Sequence, residues 1–381
     1  MDAARIERKV AVVHEWLVTY AGSEKALEQI LNLFPEADLF CVLDYLPAEQ
    51  RRFIESRKIT KTFIQALPFS RRHYRRYLPL MPAAISRLDL AEYDVVISSC
   101  HAVAKGVRTH ERQIHISYTY SPMRYVWDLQ EQYLAETNLN KGIKGAAARF
   151  VLGRLRNWDY RVAQEVDYFV AISKYIQRRI ARVYGRESVV IYPPVDTDFF
   201  CPGSVKEEFY LAASRMVPYK MMPLIVSAFT KMPDKKLVVI GDGPEMKKVR
   251  DAAGSNVVLL GYQDDEVLRD YMQRAKCFIF AAEEDFGLLP VEAQACGTPI
   301  VGFAAGGLLE TVDGLDHAAP TGVFFFDQDE RAIRRAVDEF EQNAVKIEAQ
   351  DCRRKALNFS NAHFRADFKH YFDRILANEK P

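Results

Sequence analysis

The sequence has no long uninterrupted run of apolar residues, although 49% of it is hydrophobic. Its most apolar stretch, residues 286–309, is broken by Glu292, Gln294 and several glycines and prolines. A membrane-spanning helix needs about 20 consecutive, predominantly apolar residues. The charged residues up to Lys9 lead directly into a strand pattern, so we also expect no signal peptide. We therefore expect a cytoplasmic protein that meets any membrane peripherally, on the inner face of the plasma membrane.

Cysteine is sparse, and no two cysteines have the Cys-x-x-Cys spacing of a redox or zinc motif. Several cysteines lie in apolar strand patterns, which is typical of buried thiols in a reducing cytoplasm. Disulfides and zinc sites are therefore not expected. The six cysteines are Cys41, Cys100, Cys201, Cys277, Cys296 and Cys352.

The chain also has almost no net charge, because 52 Lys and Arg stand against 51 Asp and Glu. The overall charge therefore does not favour nucleic acid as a partner. The distribution is uneven, however. Basic residues with almost no acids crowd the region between Arg51 and Arg87, whereas acids are concentrated between Asp264 and Asp285.

Short β-branched segments alternate with helical patterns almost throughout, which predicts parallel α/β sheets. The pattern breaks at Pro193-Pro194 and starts again near Phe209. At 381 residues the chain suits two domains, and we predict two Rossmann-like domains over residues 1–195 and 196–360. The predicted strands cover residues 10–13, 39–43, 95–98, 114–118, 168–171 and 189–192 in the first domain, and 209–213, 237–240, 257–260, 278–280, 300–303 and 323–326 in the second.

One segment of the second half carries a clear chemical signal. Glu284 follows a predicted buried strand, and Glu292 lies a turn or two into a helix that is predicted to begin near Pro290. Backbone N–H groups at a helix N-terminus suit phosphate oxygens, whereas carboxylates accept hydrogen bonds from sugar hydroxyls. Together these groups indicate a nucleotide-sugar site.

Two other interpretations of this segment exist. The triplet Asp285-Phe286-Gly287 also occurs in kinases, but no His-Arg-Asp loop or glycine-rich phosphate loop precedes it. The two glutamates could also be ordinary surface acids.

The spacing Glu-x7-Glu around Phe286-Gly287-Leu288 resembles the donor-site signature of retaining glycosyltransferases of the GT-B fold, in family four. The resemblance implies an α/β architecture of two Rossmann-like domains whose parallel sheets face a central cleft. The first would bind the acceptor and the second the nucleotide-sugar donor. It also implies that the amphipathic C-terminal segment, residues 361–381, packs back on the first domain.

The same resemblance assigns roles to the residues of this signature. Glu292 would hold the ribose and Glu284 would position the sugar. The donor diphosphate would meet the N–H groups around Gly287 and Leu288, with Phe286 among the donor-binding residues.

Arg215 and Lys220 follow the first predicted strand of the second half. Two cations there would stabilise the charge that develops on a leaving nucleoside diphosphate, and the resemblance implies this role for the Arg-x4-Lys pair. Taken alone, they could be solvated charges.

In the family, the turn at Gly243 lies near the nucleotide.

We expect no required metal or other cofactor, because the two cations already supply positive charge. The sequence Asp196-Thr197-Asp198 has the spacing that metal-dependent glycosyltransferases use, but it lies in the predicted interdomain linker.

In the first half, Gly22 opens the first predicted helix, where a flexible backbone lets N–H groups face a phosphate. The family has two glycines here, and Ala21 replaces the first, so the resemblance makes Gly22 the diphosphate contact. His14, Glu15 and Trp16, at the end of the first strand, are then expected to face the acceptor.

His101 follows another predicted strand. A lone histidine at such a place is commonly a hydrogen-bonded loop residue. The resemblance instead implies a catalytic histidine that contacts the donor sugar.

Residues 120–128, which include Arg124 and Tyr125, resemble bacterial surface-polysaccharide mannosyltransferases that use GDP-mannose, as do residues 190–196 and Asp285. This implies transfer of mannose to a lipid-linked saccharide, with Arg124 and Tyr125 binding the acceptor. Two alternatives stay open: a nucleotide-sugar epimerase of the same fold, and a catalytically silent scaffold of a polysaccharide assembly complex.

Residues 69–78 interleave Arg71, Arg72, Arg75 and Arg76 with aromatic residues. The segment could be a solvated helix face, a nucleic-acid patch or a patch for an anionic membrane. No nucleic-acid-binding signature accompanies it, whereas an enzyme that elongates a lipid-linked sugar would need membrane contact. We therefore expect an anionic membrane surface, and no nucleic acid, as a partner.

Overall fold

The structure is a computed structural model that describes residues 8–128, 130, 134 and 141–378. The chain forms two compact units. The first consists of Met1–Tyr192 together with Asp367–Pro381, and the second of Pro193–Ala366. The sequence pattern predicts this boundary three residues later, after residue 195.

Seven parallel strands form the sheet of the first unit. They are β1 (Val10–Leu17), β2 (Asp38–Asp44), β3 (Ile59–Lys61), β4 (Val95–Cys100), β5 (Ile114–Thr119), β6 (Tyr168–Ala171) and β7 (Val189–Val190). They lie in the order β3-β2-β1-β4-β5-β6-β7. Every residue of β1, β4 and β5 is buried, as expected for central strands of a parallel sheet.

Helices and short 3₁₀ turns connect these strands. The helices whose bounds lie within the described residues are α1 (Gly22–Leu33), α2 (Ser70–His73), α3 (Met81–Ile85), α4 (Gly142–Gln164) and α5 (Lys174–Tyr184). Local signals set the ends of α5: the Ser173 hydroxyl accepts a hydrogen bond from the Ile176 N–H at 3.1 Å, and Gly185 ends the helix with φ +66°.

Six parallel strands form the sheet of the second unit. They are β8 (Tyr210–Ala213), β9 (Leu237–Ile240), β10 (Val257–Gly261), β11 (Cys277–Phe280), β12 (Ile300–Phe303) and β13 (Gly322–Phe325), in the order β10-β9-β8-β11-β12-β13. The helices are α6 (Met222–Thr230), α7 (Met246–Ala252), α8 (Asp265–Arg274), α9 (Leu288–Ala295), α10 (Leu308–Thr311), α11 (Glu330–Asn343) and α12 (Ala349–Leu357).

The last helix, α13 (Asn361–Asn378), belongs to the first unit from Asp367 onward. The rings of Phe368 and Phe372 pack against Phe34 after α1, with centroid separations of 6.5 Å and 4.7 Å. Within the ranges described, no helix combines the length and the apolar character that crossing a bilayer requires.

Each sheet has one place where the strand order reverses, between β1 and β4 in the first unit and between β8 and β11 in the second. Open α/β sheets bind ligands outside the carboxyl ends of strands at such a switch point. Residues 14–16 and His101 lie at the first switch point, and Arg215 and Glu284 lie at the second. The prediction of two parallel-sheet, Rossmann-like domains is confirmed.

Candidate functional site

Lys220 and Glu284 form an ion pair in the second unit, between the ammonium Nζ and the carboxylate Oε1. Lys220 ends a 3₁₀ turn that follows β8, and Glu284 lies in the loop after β11, so the sheet brings them together. Their side chains are 13% and 18% exposed. The structure thus joins two residues that the sequence analysis placed at one phosphate and sugar site.

The loop that carries Glu284 ends at the N-terminus of α9. Gly287 caps this helix with φ +88°, a left-handed conformation that favours glycine. The first N–H groups of a helix have no intrahelical acceptors and carry the positive end of its dipole. The turn from Gly287 to Leu288 therefore offers N–H donors for a phosphate.

The side chain of Phe286 in this loop packs inside the second unit. Its side chain is buried, and its ring meets that of Phe359 edge-on with centroids 5.5 Å apart. It was predicted among the donor-binding residues. The structure shows Phe286 anchoring the loop to the core of the second unit.

Two glycines that the sequence analysis did not select fix the position of this loop. The Gly307 N–H donates to the Glu284 carbonyl at 2.8 Å. Gly306 has φ +63°, and a Cβ added there would lie 2.1 Å from the same carbonyl oxygen. A Cβ at Gly307 would lie 2.4 Å from the Phe286 Cα. The Gly306-Gly307 pair after β12 was the available sequence signal.

Glu292 lies in α9 at the fifth helical position and is buried. Its place one turn beyond the N-terminus of the helix agrees with the predicted geometry. Glu292 is therefore not an ordinary surface acid.

Arg215 is exposed and lies two residues after the end of β8. A turn that contains Gly241 and Gly243 holds the backbone next to Arg215. In this turn the Asp242 carbonyl accepts a hydrogen bond from the N–H of Met216, the residue after Arg215, at 2.9 Å. Gly243 has φ +151°, and a Cβ there would lie 2.7 Å from the Met216 carbonyl oxygen. Gly243 therefore permits a close approach of two backbone segments, beside a predicted phosphate-binding cation.

In the first unit, the carboxylate of Glu15 accepts hydrogen bonds from four successive backbone N–H groups. Those of His101, Ala102 and Ala104 donate to Oε1 at 3.0, 2.7 and 3.1 Å, and that of Val103 donates to Oε2 at 2.9 Å. Burial alone would raise the pKa of Glu15, but nearby His101 and these N–H donors lower it below its ordinary value. Glu15 thus fixes the loop that carries His101.

His101 itself is half-buried. Its ring meets Trp16 edge-on, with centroids 4.8 Å apart and planes at 88°. Burial lowers the pKa of His101, although Glu15 opposes this shift. Burial therefore favours the neutral imidazole, which can accept or donate a hydrogen bond.

His14 is fully buried and connects β1 to the start of α1. Its Nδ1 lies 3.0 Å from the Ser99 hydroxyl, and its Nε2 lies 3.3 Å from the Glu24 carboxylate. Glu24 in turn accepts from the Ala21 N–H at 3.0 Å, which fixes the turn that contains Gly22. Gly22 is the first residue of α1, so its N–H belongs to the unpaired first turn of that helix.

The residues that were expected to bind the acceptor therefore differ in their exposure to solvent. His14 and Glu15 are buried and hydrogen-bonded within the first unit, so they organise loops and present no surface to a ligand. Trp16 is mostly buried against His101. Arg124 and Tyr125, in the turn after β5, are half-buried.

A buried ion pair that the sequence did not reveal stabilises the other end of the His101 loop. Lys105 pairs with Asp159 of α4, and neither side chain has more than 1% exposure. Asp159 also accepts from the Trp127 indole at 2.8 Å and from the Tyr184 hydroxyl at 2.7 Å. These additional hydrogen bonds offset the cost of removing the two charges from water.

No group of three or more His, Cys, Asp or Glu side chains arranged for a metal occurs among the described residues. The Asp196 carboxylate accepts from the N–H groups of Asp198 and Phe199 at 3.2 Å and 3.0 Å. It therefore caps a local turn.

Family models match both halves of the chain. Residues 196–359 match the model described as glycosyl transferases group 1, and residues 36–199 match glycosyltransferase family 4. The D-inositol 3-phosphate glycosyltransferase of Mycobacterium tuberculosis (strain ATCC 25618 / H37Rv) is 28% identical over 191 residues, covering 43% of this chain. The chain spans 40% of the length of that curated relative.

Solved structures resemble the chain over nearly its whole length. Sucrose-phosphate synthase of Thermosynechococcus elongatus has a TM-score of 0.74 at 17% identity, and covers 98% of this chain and 100% of its own. HepE of Anabaena, in complex with UDP, has a TM-score of 0.69 at 16% identity, with 96% and 100% covered. At these identities the likeness shows the fold, two Rossmann-like domains with parallel sheets.

Proposed function

We propose that the chain is a glycosyltransferase of the GT-B fold and that it transfers a hexose from a nucleoside diphosphate sugar to a saccharide acceptor, with retention of configuration. The observation that carries this proposal is the Lys220–Glu284 ion pair beside the N-terminus of α9. A cation and helix N–H donors suit the diphosphate, and a carboxylate at the same place suits a sugar hydroxyl.

The residues of this site have distinct roles in the proposed reaction. Lys220, Arg215 and the N–H groups from Gly287 onward stabilise the negative charge on the leaving diphosphate. Glu292 holds the ribose and Glu284 orients the hexose. Gly22 contributes a diphosphate contact, and His101 contacts the sugar.

In the reaction, the bond between the anomeric carbon and the phosphate oxygen breaks, and a bond from the acceptor hydroxyl oxygen forms on the same face. The acceptor proton moves to the leaving phosphate oxygen. Lys220 and Arg215 supply charge stabilisation, and no metal ion takes part.

The donor we propose is GDP-mannose, and the acceptor is a lipid-linked saccharide of a bacterial surface polysaccharide. The resemblance of residues 120–128 and 190–196 to mannosyltransferases supports this donor. HepE has been solved in complex with UDP-glucose, so a uridine donor must be tested beside it. The exposed arginines at 71, 72, 75 and 76 support peripheral contact with an anionic membrane.

Incubation with GDP-mannose or UDP-glucose, with and without a lipid-linked saccharide mimic, tests the proposal. We expect acceptor-dependent release of GDP and an α-linked product detected by mass spectrometry and NMR. Transfer from UDP-glucose alone would correct the donor and keep the activity. Donor conversion without an acceptor would identify an epimerase, and no reaction with any donor would favour the scaffold.

A further inference from the structure

Two separate segments of the first unit contain no acidic residue. Residues 56–88 hold eight Lys and Arg, and residues 141–158 hold five, with no Asp or Glu in either segment. Since the whole chain carries 52 basic and 51 acidic residues, these segments are strongly biased.

Both segments pack over the same hydrophobic core. Buried residues of α3 and α4 belong to one cluster with residues of the central strands, so the two helices cover the same face of the first sheet. Both helices also contact the turn Ala104–Gly106. The shared members include Met81, Ile85, Leu152 and Leu155, together with Val13 and Val96.

The outer side of this layer exposes large apolar side chains. Ile143 and Phe150 of α4 are 90% and 63% exposed, and Phe69 before α2 is 78% exposed. Ile143 and Phe150 are seven residues apart, so they lie on the same side of the helix. The Arg154 guanidinium lies over the Phe150 ring at 5.4 Å.

The cations around these apolar residues are exposed. Lys141, Lys144 and Arg154 are solvent-accessible and form no ion pair with the part of the chain that the structure describes. A helix with apolar residues and Lys or Arg on its outer side is typical of segments that lie in a membrane interface.

We propose that residues 141–154 dock on an anionic bilayer, with Ile143 and Phe150 inserted among the acyl chains and the cations at the headgroups. The docking itself is independent of the sugar chemistry, although its use in delivering a lipid-linked acceptor rests on the proposed function. A second copy of the chain fits this surface poorly, because a symmetric contact would bring like charges together.

The test compares Ile143→Ser/Phe150→Ser with the matched double variant Val345→Ser/Phe326→Ser. The control residues are 91% and 76% exposed and lie in the second unit. Vesicles of phosphatidylglycerol with phosphatidylcholine are compared with phosphatidylcholine alone in sedimentation at moderate salt. We expect the first variant to lose at least about tenfold in partitioning, and the control variant to bind like wild type.

Several results would overturn this proposal. One is the absence of wild-type binding to the anionic vesicles, and another is an equal loss of binding in the two variants. Equal binding by wild type and the Ile143/Phe150 variant would show that apolar insertion plays no part, and displacement of such binding by double-stranded RNA would identify a polyanion site. Turnover with a short water-soluble acceptor is measured separately. Vesicle binding without turnover would leave the docking intact and reject only the proposed enzymatic function.

Discussion

Lys220 and Glu284 form an ion pair although 64 residues separate them in the chain. In this arrangement the carboxylate compensates the ammonium charge before a ligand arrives. A bound diphosphate would compete for the same ammonium group and leave Glu284 available to sugar hydroxyls. The pair therefore links phosphate binding to sugar positioning.

Lys220→Ala is expected to reduce turnover by at least about tenfold, because a charge-assisted hydrogen bond contributes roughly 1.5–3 kcal/mol and about 1.4 kcal/mol is a factor of ten. Steady-state kinetics measure this effect, and circular dichroism checks that the variant is folded. A folded variant with wild-type turnover would falsify the assignment.

The two glutamates are expected to differ in calorimetry with GDP. Glu292→Gln should weaken GDP binding, because its proposed partner is the ribose. Glu284→Gln should leave GDP binding unchanged or tighter, since it removes the carboxylate that competes for Lys220, while transfer decreases. Equal losses of GDP affinity in both variants would contradict this division of roles.

Gly306→Ala is expected to weaken donor binding, because its Cβ would lie 2.1 Å from the Glu284 carbonyl oxygen. Gly185→Ala is the matched control: it has φ +66° but nothing within 4 Å of the added Cβ. Both substitutions carry a left-handed backbone cost of roughly 1–2 kcal/mol. Only the Gly306 variant should lose affinity for the donor in calorimetry. Equal affinity in the two variants would show that the Glu284 loop tolerates displacement.

Glu15→Gln should lower the free energy of unfolding by roughly 1–3 kcal/mol at pH 7, because an amide N–H₂ would face the Val103 N–H or its neighbours. The pKa of Glu15 in the folded protein lies below its ordinary value of 4.5. Its stabilisation is therefore present above pH 4.5 and is lost as the pH falls through the folded-state pKa. Urea unfolding at several pH values should show the variant and wild type converging in acid. A difference that is independent of pH would contradict this role.

Replacing Arg71, Arg72, Arg75 and Arg76 with Ser is expected to abolish sedimentation with anionic vesicles at moderate salt. Each charge near a membrane surface contributes about 1 kcal/mol, and salt screens the attraction. Turnover on a short soluble acceptor should be nearly unchanged. A matched variant with Lys247, Arg250, Arg331 and Arg335 replaced by Ser should still bind. Loss of soluble-acceptor activity as severe as the loss on a lipid-linked one would place the four arginines at the acceptor site.

The sequence predicted the regular parts of the fold well, because buried parallel strands are short apolar runs. The bounds predicted for β6, β9 and β12 agree with the structure. Strand β3 was missed because it has only three residues, none of them fully buried, and it ends on the exposed Lys61. Helix α4 was missed because outward-facing Ile143 and Phe150 obscure its helical period.

The candidate site was predicted in part. The spacing from Glu284 to Glu292 follows from one local segment, so the sequence alone could place both residues at one strand–helix junction. The bonds from Glu15 to the His101 loop and from Lys105 to Asp159 join residues more than 50 positions apart. Local sequence patterns do not encode such pairings. The bonds to the His101 loop change the role expected for Glu15 from acceptor binding to loop positioning.

The packing of Phe368 and Phe372 on Phe34 has a consequence for biosynthesis. The first unit receives part of its core from the last helix, more than 300 residues after Phe34. During translation, the ribosome must therefore synthesise the whole second unit before the first can acquire these aromatic contacts. The nascent first unit will expose Phe34 until the last helix has left the ribosome, which makes this face a natural target for chaperones that bind apolar surface during synthesis.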